Sequence, residues 1–359
     1  MAGAFALALA LVATAATIRP FGWDITALPR VGMDTPLAQA AHDVDPSFRT
    51  VRRPGYDGQF NWAIAVDPLA RTAVHRAVDK PSYRYGHPLL GWVGWALSGG
   101  QAGAVAAALL VAGLLSFAAA AALAALLAVR YGVRTTAALF VVVNAGLLYA
   151  AVHGLVEPLA TALVLGVLIA VGDDRIRLAA GLCVFLPLAK EQLILVPLLL
   201  AGWELRERRA FDRVALYAAS TLPSIAWWIA MRVHLGAWFT TGDSALGAPF
   251  AGWKRAVLDA GVNAASGRDE TTLVVLVGLG GLLACAGVAA LRLRGPGALL
   301  FLAFLLIAIC LADNATVILR DALRNTAVLV ALVPFVAGQD ARPRRTSAAV
   351  ASSTRSSAG

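Results

Sequence analysis

Apolar residues fall along this chain in long unbroken blocks, not in the alternating pattern of half-buried strands. The blocks run approximately 2–18, 104–129, 135–152, 158–172, 178–189, 192–205, 214–232, 272–291, 298–312 and 325–338. Some reach the ~17–25 residues a helix needs to cross a ~30 Å hydrocarbon layer, and others are short for it. Alanine and leucine dominate them with no period of two, which argues against a membrane barrel. Backbone facing lipid must satisfy its own hydrogen bonds, so the blocks predict helices. The expected fold class is all-α: a polytopic transmembrane helical bundle of about ten spans.

The longest polar stretch, residues 19 to about 103, forms the loop between the first two spans. Within it, Gly55-Tyr56-Asp57-Gly58-Gln59-Phe60 opens a short helical stretch through Val66. Asp67-Pro68 then reads as an N-cap with proline at the first helical position, starting a second short helix to about Val78. Asp79-Lys80-Pro81 breaks it. The segment Pro88 to Ser98 is apolar but covers only about half of a bilayer core as a helix, so it is expected at the interface, with Trp92 and Trp95 at the headgroups. The loop is thus expected as short juxtamembrane helices packed on the membrane surface. The first block, Ala2 to Ile18, resembles a signal peptide at Ala13-Thr14-Ala15, yet no basic residues precede it, and an uncleaved first span is the expectation. The transmembrane unit covers 1–338, and the Ser-, Ala- and Arg-rich tail 339–359 is expected to be disordered and cytoplasmic.

Composition sharpens this picture. The chain is 59% hydrophobic and only 14% charged, whereas a soluble protein carries roughly a quarter charged residues. The net charge of +9 resides in arginines at block ends and in the first loop. That pattern sets topology and contacts anionic membrane lipid; no nucleic acid is expected. Arg130/Arg134, Arg175/Arg177, Arg206/Arg208/Arg209/Arg213 and Arg292/Arg294 mark turns on one side, with Arg342, Arg344 and Arg345 of the tail. Both termini are then cytoplasmic and the first loop is extracytoplasmic. Arg320 and Arg324 lie by an outward turn, against the rule, and either serve an anionic ligand or snorkel. Cys183, Cys285 and Cys310 sit within apolar blocks and read as small hydrophobes, not metal ligands.

Candidate chemistry gathers at the outer side. Asp57 is either a turn aspartate, Asp-Gly being a common turn pair, or a carboxylate able to take a proton from an attacking hydroxyl. Asp34, Asp43, Asp45 and Asp67 have weaker claims, as solvated or capping residues. Lys80, Tyr83, Arg84 and His87 precede the interfacial segment, as an aromatic and basic membrane anchor or as a phosphate site. His153 and Glu157 occupy one later outward turn, and Lys190 with Glu191 another. Charges at membrane depth are costly unless paired or facing a wet cavity.

These residues resemble the GT-C superfamily of membrane glycosyltransferases, which includes protein O-mannosyltransferases and the lipid A aminoarabinose transferase. The resemblance lies in one span, a long outward loop with an early aspartate, then Lys80-Pro81 through Trp92, and Ala189-Lys190-Glu191 midway along the bundle. It extends to bacterial proteins with a YDGQF loop. It implies that Asp57 is the catalytic general base on an acceptor hydroxyl, which attacks the anomeric carbon of a polyprenyl-phosphate sugar with inversion. Lys80, Arg84, Lys190 and Arg320 or Arg324 would stabilise the leaving phosphate, and Tyr83, His87, Glu157 and Glu191 would complete the substrate site. The acceptor is a glycan, lipid or protein, and the location a bacterial cytoplasmic membrane. Gly58 stands where many relatives carry a second acid, so a divalent cation is not indicated. A transporter or flippase of a lipid-linked or anionic substrate, and an inactive scaffold in envelope assembly, are the competing expectations.

Overall fold

A computed structural model describes residues 1–52, 55–241, 246–293 and 295–338. The tail from Gln339, expected to be disordered, lies outside them, as does Arg294. Every apolar block is helical, and the described residues contain no strand, only isolated bridges Gly32–Val51 and Leu246–Leu311. Four helices are long and apolar enough to cross a membrane: Ala2–Phe21, Ala102–Tyr131, Phe211–Leu235 and Glu270–Arg292. A fifth span results if the pair Thr135–Val142 and Ala145–Val152, bent by 58°, is one. Glu157–Gly172, Ile176–Ala189, Pro296–Ile309 and Ala327–Val336 are apolar but shorter. The protein is an all-helical, integral membrane protein of four to five candidate spans, with shorter apolar helices among them. Leu115, Val129, Val274, Val277, Val288 and Leu291 point outward, as lipid-facing positions do.

The first helix shows how these sequences pack. Ala6, Ala10, Thr14 and Ile18 are buried at a spacing of four, forming one stripe against Val105–Tyr131. Small residues there permit close approach: a Cβ on Gly3 would stand 2.9 Å from the Ala118 carbonyl oxygen. The 58° bend falls at Val143-Asn144, where Asn144 leaves the helical region and its side chain accepts from Leu147 N at 3.1 Å. That cap restarts the helix in a new direction.

The first loop is organised differently from the expectation of helices laid on a surface. Gly58–Val66 forms as expected, but Gly58, Gln59, Asn61, Trp62, Ala63, Ile64 and Ala65 are all buried by protein. Asn61 Nδ2 donates to the Gly154 carbonyl at 2.9 Å, and Gly32 N donates to Gln59 Oε1 at 3.2 Å. The helix is therefore stitched into the bundle through polar side chains that periodicity does not weigh. The second expected helix is reduced to a 3₁₀ turn, Val74–Ala77. Asp67 is buried, and its carboxylate collects Arg71 N at 2.7 Å, Thr72 N at 2.8 Å and His75 Nδ1 at 3.2 Å. It ties a turn together instead of starting a helix. The apolar segment before the second span is the nine-residue helix Leu89–Leu97, packed on Gly58–Val66 with Gly91 against Ile64. Trp95 is exposed, while Trp92 donates to the Pro68 carbonyl at 3.0 Å. Of the cysteines, Cys183 is buried and Cys285 lies on the exposed surface.

Candidate functional site

Two close approaches place the chemistry. Asp57 precedes the Gly58–Val66 helix, and a Cβ at Gly58 would stand 2.1 Å from the His153 carbonyl oxygen. No side chain fits there, so the position after Asp57 admits only glycine. His153 is itself structural: buried, with Nδ1 at 2.8 Å from the Leu28 carbonyl. Across the cavity, the helix Leu319–Asn325 lies against Ala145–Val152. A Cβ at Gly146 would stand 2.5 Å from the Arg324 amide nitrogen, so glycine lets Arg324 come close.

The result is a cavity of about 320 Å³. Asp57, Tyr83, Arg84, His87, Glu157, Lys190, Glu191 and Arg324 line it. These come from five separate stretches of the chain. Lys80 and Arg320 are not among the lining residues: Lys80 is exposed in a left-handed conformation, and Arg320 stacks on Tyr56 at 4.3 Å. Sequence reasoning missed Asn314 and Asn325, and the apolar wall of Phe304, Ile307, Leu311 and Leu329. Adjacency of Asn325 to Arg324 was the one available signal.

Charge inside the cavity is balanced, with three carboxylates facing three cations. Asp57 Oδ2 accepts from Arg324 Nη1 at 2.8 Å, and its Oδ1 from Arg84 Nη1 at 3.4 Å. Arg84 is held in turn by Asp79 at 3.0 Å and stacks on Phe60 at 3.7 Å. Glu157, with only 4% of its side chain exposed, accepts from Lys190 Nζ at 3.0 Å and stands 3.5 Å from Arg324 Nε. Lys190 also donates to Asn325 Oδ1 at 3.2 Å. Arg324 is thus shared between the two carboxylates.

Burial disfavours charge on Asp57, but Arg324 and Arg84 outweigh it and hold the carboxyl below the ordinary aspartate range. The 38% of its side chain that remains open faces the cavity. Burial depresses His87, more than Glu191 at 3.4 Å raises it, so the imidazole is neutral at pH 7. His87 Nδ1 makes no hydrogen bond, although Tyr83 packs edge-on to the ring at 5.2 Å. Burial, then Glu191, pushes the Tyr83 hydroxyl up to about 12. Glu157 Oε2 and Arg324 Nε are also buried without hydrogen-bond partners. Such orphans are costly unless a ligand satisfies them. Among the described residues no group of three or more His, Cys, Asp or Glu side chains comes together as a metal site.

The arrangement can therefore do two things. It offers an ionised carboxylate at one end of a cavity, and cations that an incoming anion can recruit. Comparison of the chain with family models, curated proteins and solved structures finds no match to any of them.

Proposed function

We propose that the protein is a membrane glycosyltransferase that moves a sugar from a polyprenyl-phosphate donor to an acceptor hydroxyl, with inversion. The observation that carries this reading is the Asp57 carboxylate 2.8 Å from Arg324, in a cavity that also holds Arg84 and Lys190 and has an apolar wall. In this reading the acceptor oxygen forms a bond to the anomeric carbon while the bond to the phosphate oxygen breaks. The electron pair goes to the phosphate, and the acceptor proton goes to Asp57. A phosphodiester carries one negative charge and departs as a monoester with a second one developing. Arg84, Lys190 and Arg324 answer that charge. The prenyl chain lies along Phe304, Ile307, Leu311 and Leu329. Because cavity charge is balanced, the phosphate must draw cations from Asp57 and Glu157, which frees Asp57 and raises its basicity. Donor binding then precedes base action. The same reading takes the four shorter apolar helices and Leu195–Trp203 as further spans, about ten in all with the bent pair as one. It also puts the first loop outside a bacterial cytoplasmic membrane and both termini in the cytoplasm.

Purified protein given radiolabelled polyprenyl-phosphate sugars is the test. Asp57→Asn should lower transfer by about 10²-fold or more. Undiminished transfer would remove Asp57 from the mechanism. A second reading, a transporter of a lipid-linked anion, draws on the 58° break between Thr135–Val142 and Ala145–Val152. Movement of intact donor across sealed vesicles, without sugar release, would favour it.

A further inference from the structure

Of the two arginines offered as alternatives at the leaving phosphate, Arg324 lines the cavity and Arg320 lies outside its lining. Arg320 joins another group. Its guanidinium stands 4.3 Å over the Tyr56 ring and 5.6 Å from the Tyr149 ring, and Nη1 is 3.5 Å from the Tyr149 hydroxyl. The nearest carboxylate, Asp321, is 3.8 Å from Nε, and its oxygen is taken by the Tyr56 hydroxyl. Arg30 belongs to the same cluster. Its carbonyl accepts from Tyr56 N at 3.0 Å, and its charge, like that of Arg320, reaches both Tyr149 and His153.

Three observations set this cluster apart. Arg30 forms no ion pair among the described residues. The Nε atoms of Arg30 and Arg320 are both buried without a hydrogen-bond partner. Arg30 also holds a positive φ of 58°, a conformation costly for a side chain of its size. Both arginine charges thus act on Tyr149 and His153, and the carboxylate beside Arg320 is itself occupied, so positive charge is left over. Guanidinium Nε–H groups left unsatisfied match the oxygens of phosphate or carboxylate. The tyrosine hydroxyl of Tyr149 adds a third donor.

We infer a second anion site, in which Arg30, Arg320 and Tyr149 bind an oxyanion beside the Asp57 cavity. Tyr56, next to Asp57 in the chain, links the two sites: its ring lies 4.3 Å from the Arg320 guanidinium and 5.2 Å from that of Arg324. The role of this oxyanion as an acidic group on the acceptor rests on the glycosyltransferase reading; the binding itself does not. An acceptor anchored there would present a hydroxyl past Tyr56 toward Asp57.

Site-resolved arginine modification tests it. The full chain, in nanodiscs of phosphatidylcholine, is treated with phenylglyoxal, and peptide mass spectrometry follows Arg30, Arg320 and Arg84 separately. One arm adds pyrophosphate in solution; the other replaces part of the lipid with phosphatidylglycerol. Protection of Arg30 and Arg320 by pyrophosphate is the result expected of a soluble oxyanion. Protection by phosphatidylglycerol alone assigns the site to a lipid headgroup, the same oxyanion chemistry from the other source. Arg320→Gln should raise the pyrophosphate concentration that half-protects Arg30 about tenfold, the loss of one charge-assisted bond. Arg320→Lys should keep part of it, and Arg84 protection should be unchanged in both. Lys190→Gln should leave Arg30 protection intact even if sugar transfer is absent in every preparation, which separates this site from the transfer reading. Absence of protection at Arg30 in both arms, or equal protection in Arg320→Gln, would overturn the inference.

Discussion

Lys190→Met offers the sharpest test of the charge network, because it removes one cation from a carboxylate that is almost fully enclosed. Glu157 is 4% exposed and Lys190 28%, with 3.0 Å between Nζ and Oε1. At an effective dielectric of ~20, unit charges at that distance attract by about 5 kcal/mol before desolvation is counted. Arg324 remains 3.5 Å from Glu157 and takes over part of the compensation. Breaking a buried pair typically costs ~3–5 kcal/mol, so about 2–3 kcal/mol is expected here. Glu157→Gln in the same background should recover much of that loss, since a neutral amide no longer strands charge. Equilibrium unfolding of the single and double variants in mixed micelles gives the cycle. A coupling of roughly 2 kcal/mol follows from direct contact. Additivity within about 0.5 kcal/mol would refute the view that Lys190 and Glu157 act as one unit.

Further outcomes follow from the same geometry. Gly146→Ala changes no charge but puts a Cβ 2.5 Å from Arg324 N. The Leu319–Asn325 helix must shift, so stability should fall by about 1–3 kcal/mol and transfer should fall with it. Unchanged transfer and unfolding in Gly146→Ala would sink the claim that this contact positions Arg324. The lowered Asp57 pKa makes its ion pairs stabilising above the unfolded aspartate value of about 4, with the contribution lost as pH falls through the folded value. The stability gap between wild type and Asp57→Asn should therefore narrow below about pH 4. In Arg324→Gln the carboxyl loses its nearest cation, and the acid limb of transfer should move to higher pH. A limb that stays in place would show that Arg324 does not tune Asp57.

The helices and the membrane were legible in the sequence because both depend on local facts. A run of alanine and leucine satisfies its backbone internally and favours lipid wherever it sits, so each apolar block became a helix. Asp57, Arg84 and Lys190 could likewise be picked out, since a charge beside apolar sequence is conspicuous. Their assembly could not. Arg324 meets Asp57 across most of the chain, and nothing local tells Arg324 from Arg320. Arg324 faces the cavity while Arg320, four residues earlier, stacks on Tyr56, a difference set by how Gly146 seats their helix. Asp67 shows the converse: its Asp-Pro pair signals a helix start, but three hydrogen-bond donors folded onto its carboxylate made it a turn. Hydrophobic pattern decides what enters the bilayer, because transfer energy adds residue by residue. Which charges meet is decided by helix packing, where a missing Cβ or a single shared arginine sets distances that no local pattern encodes.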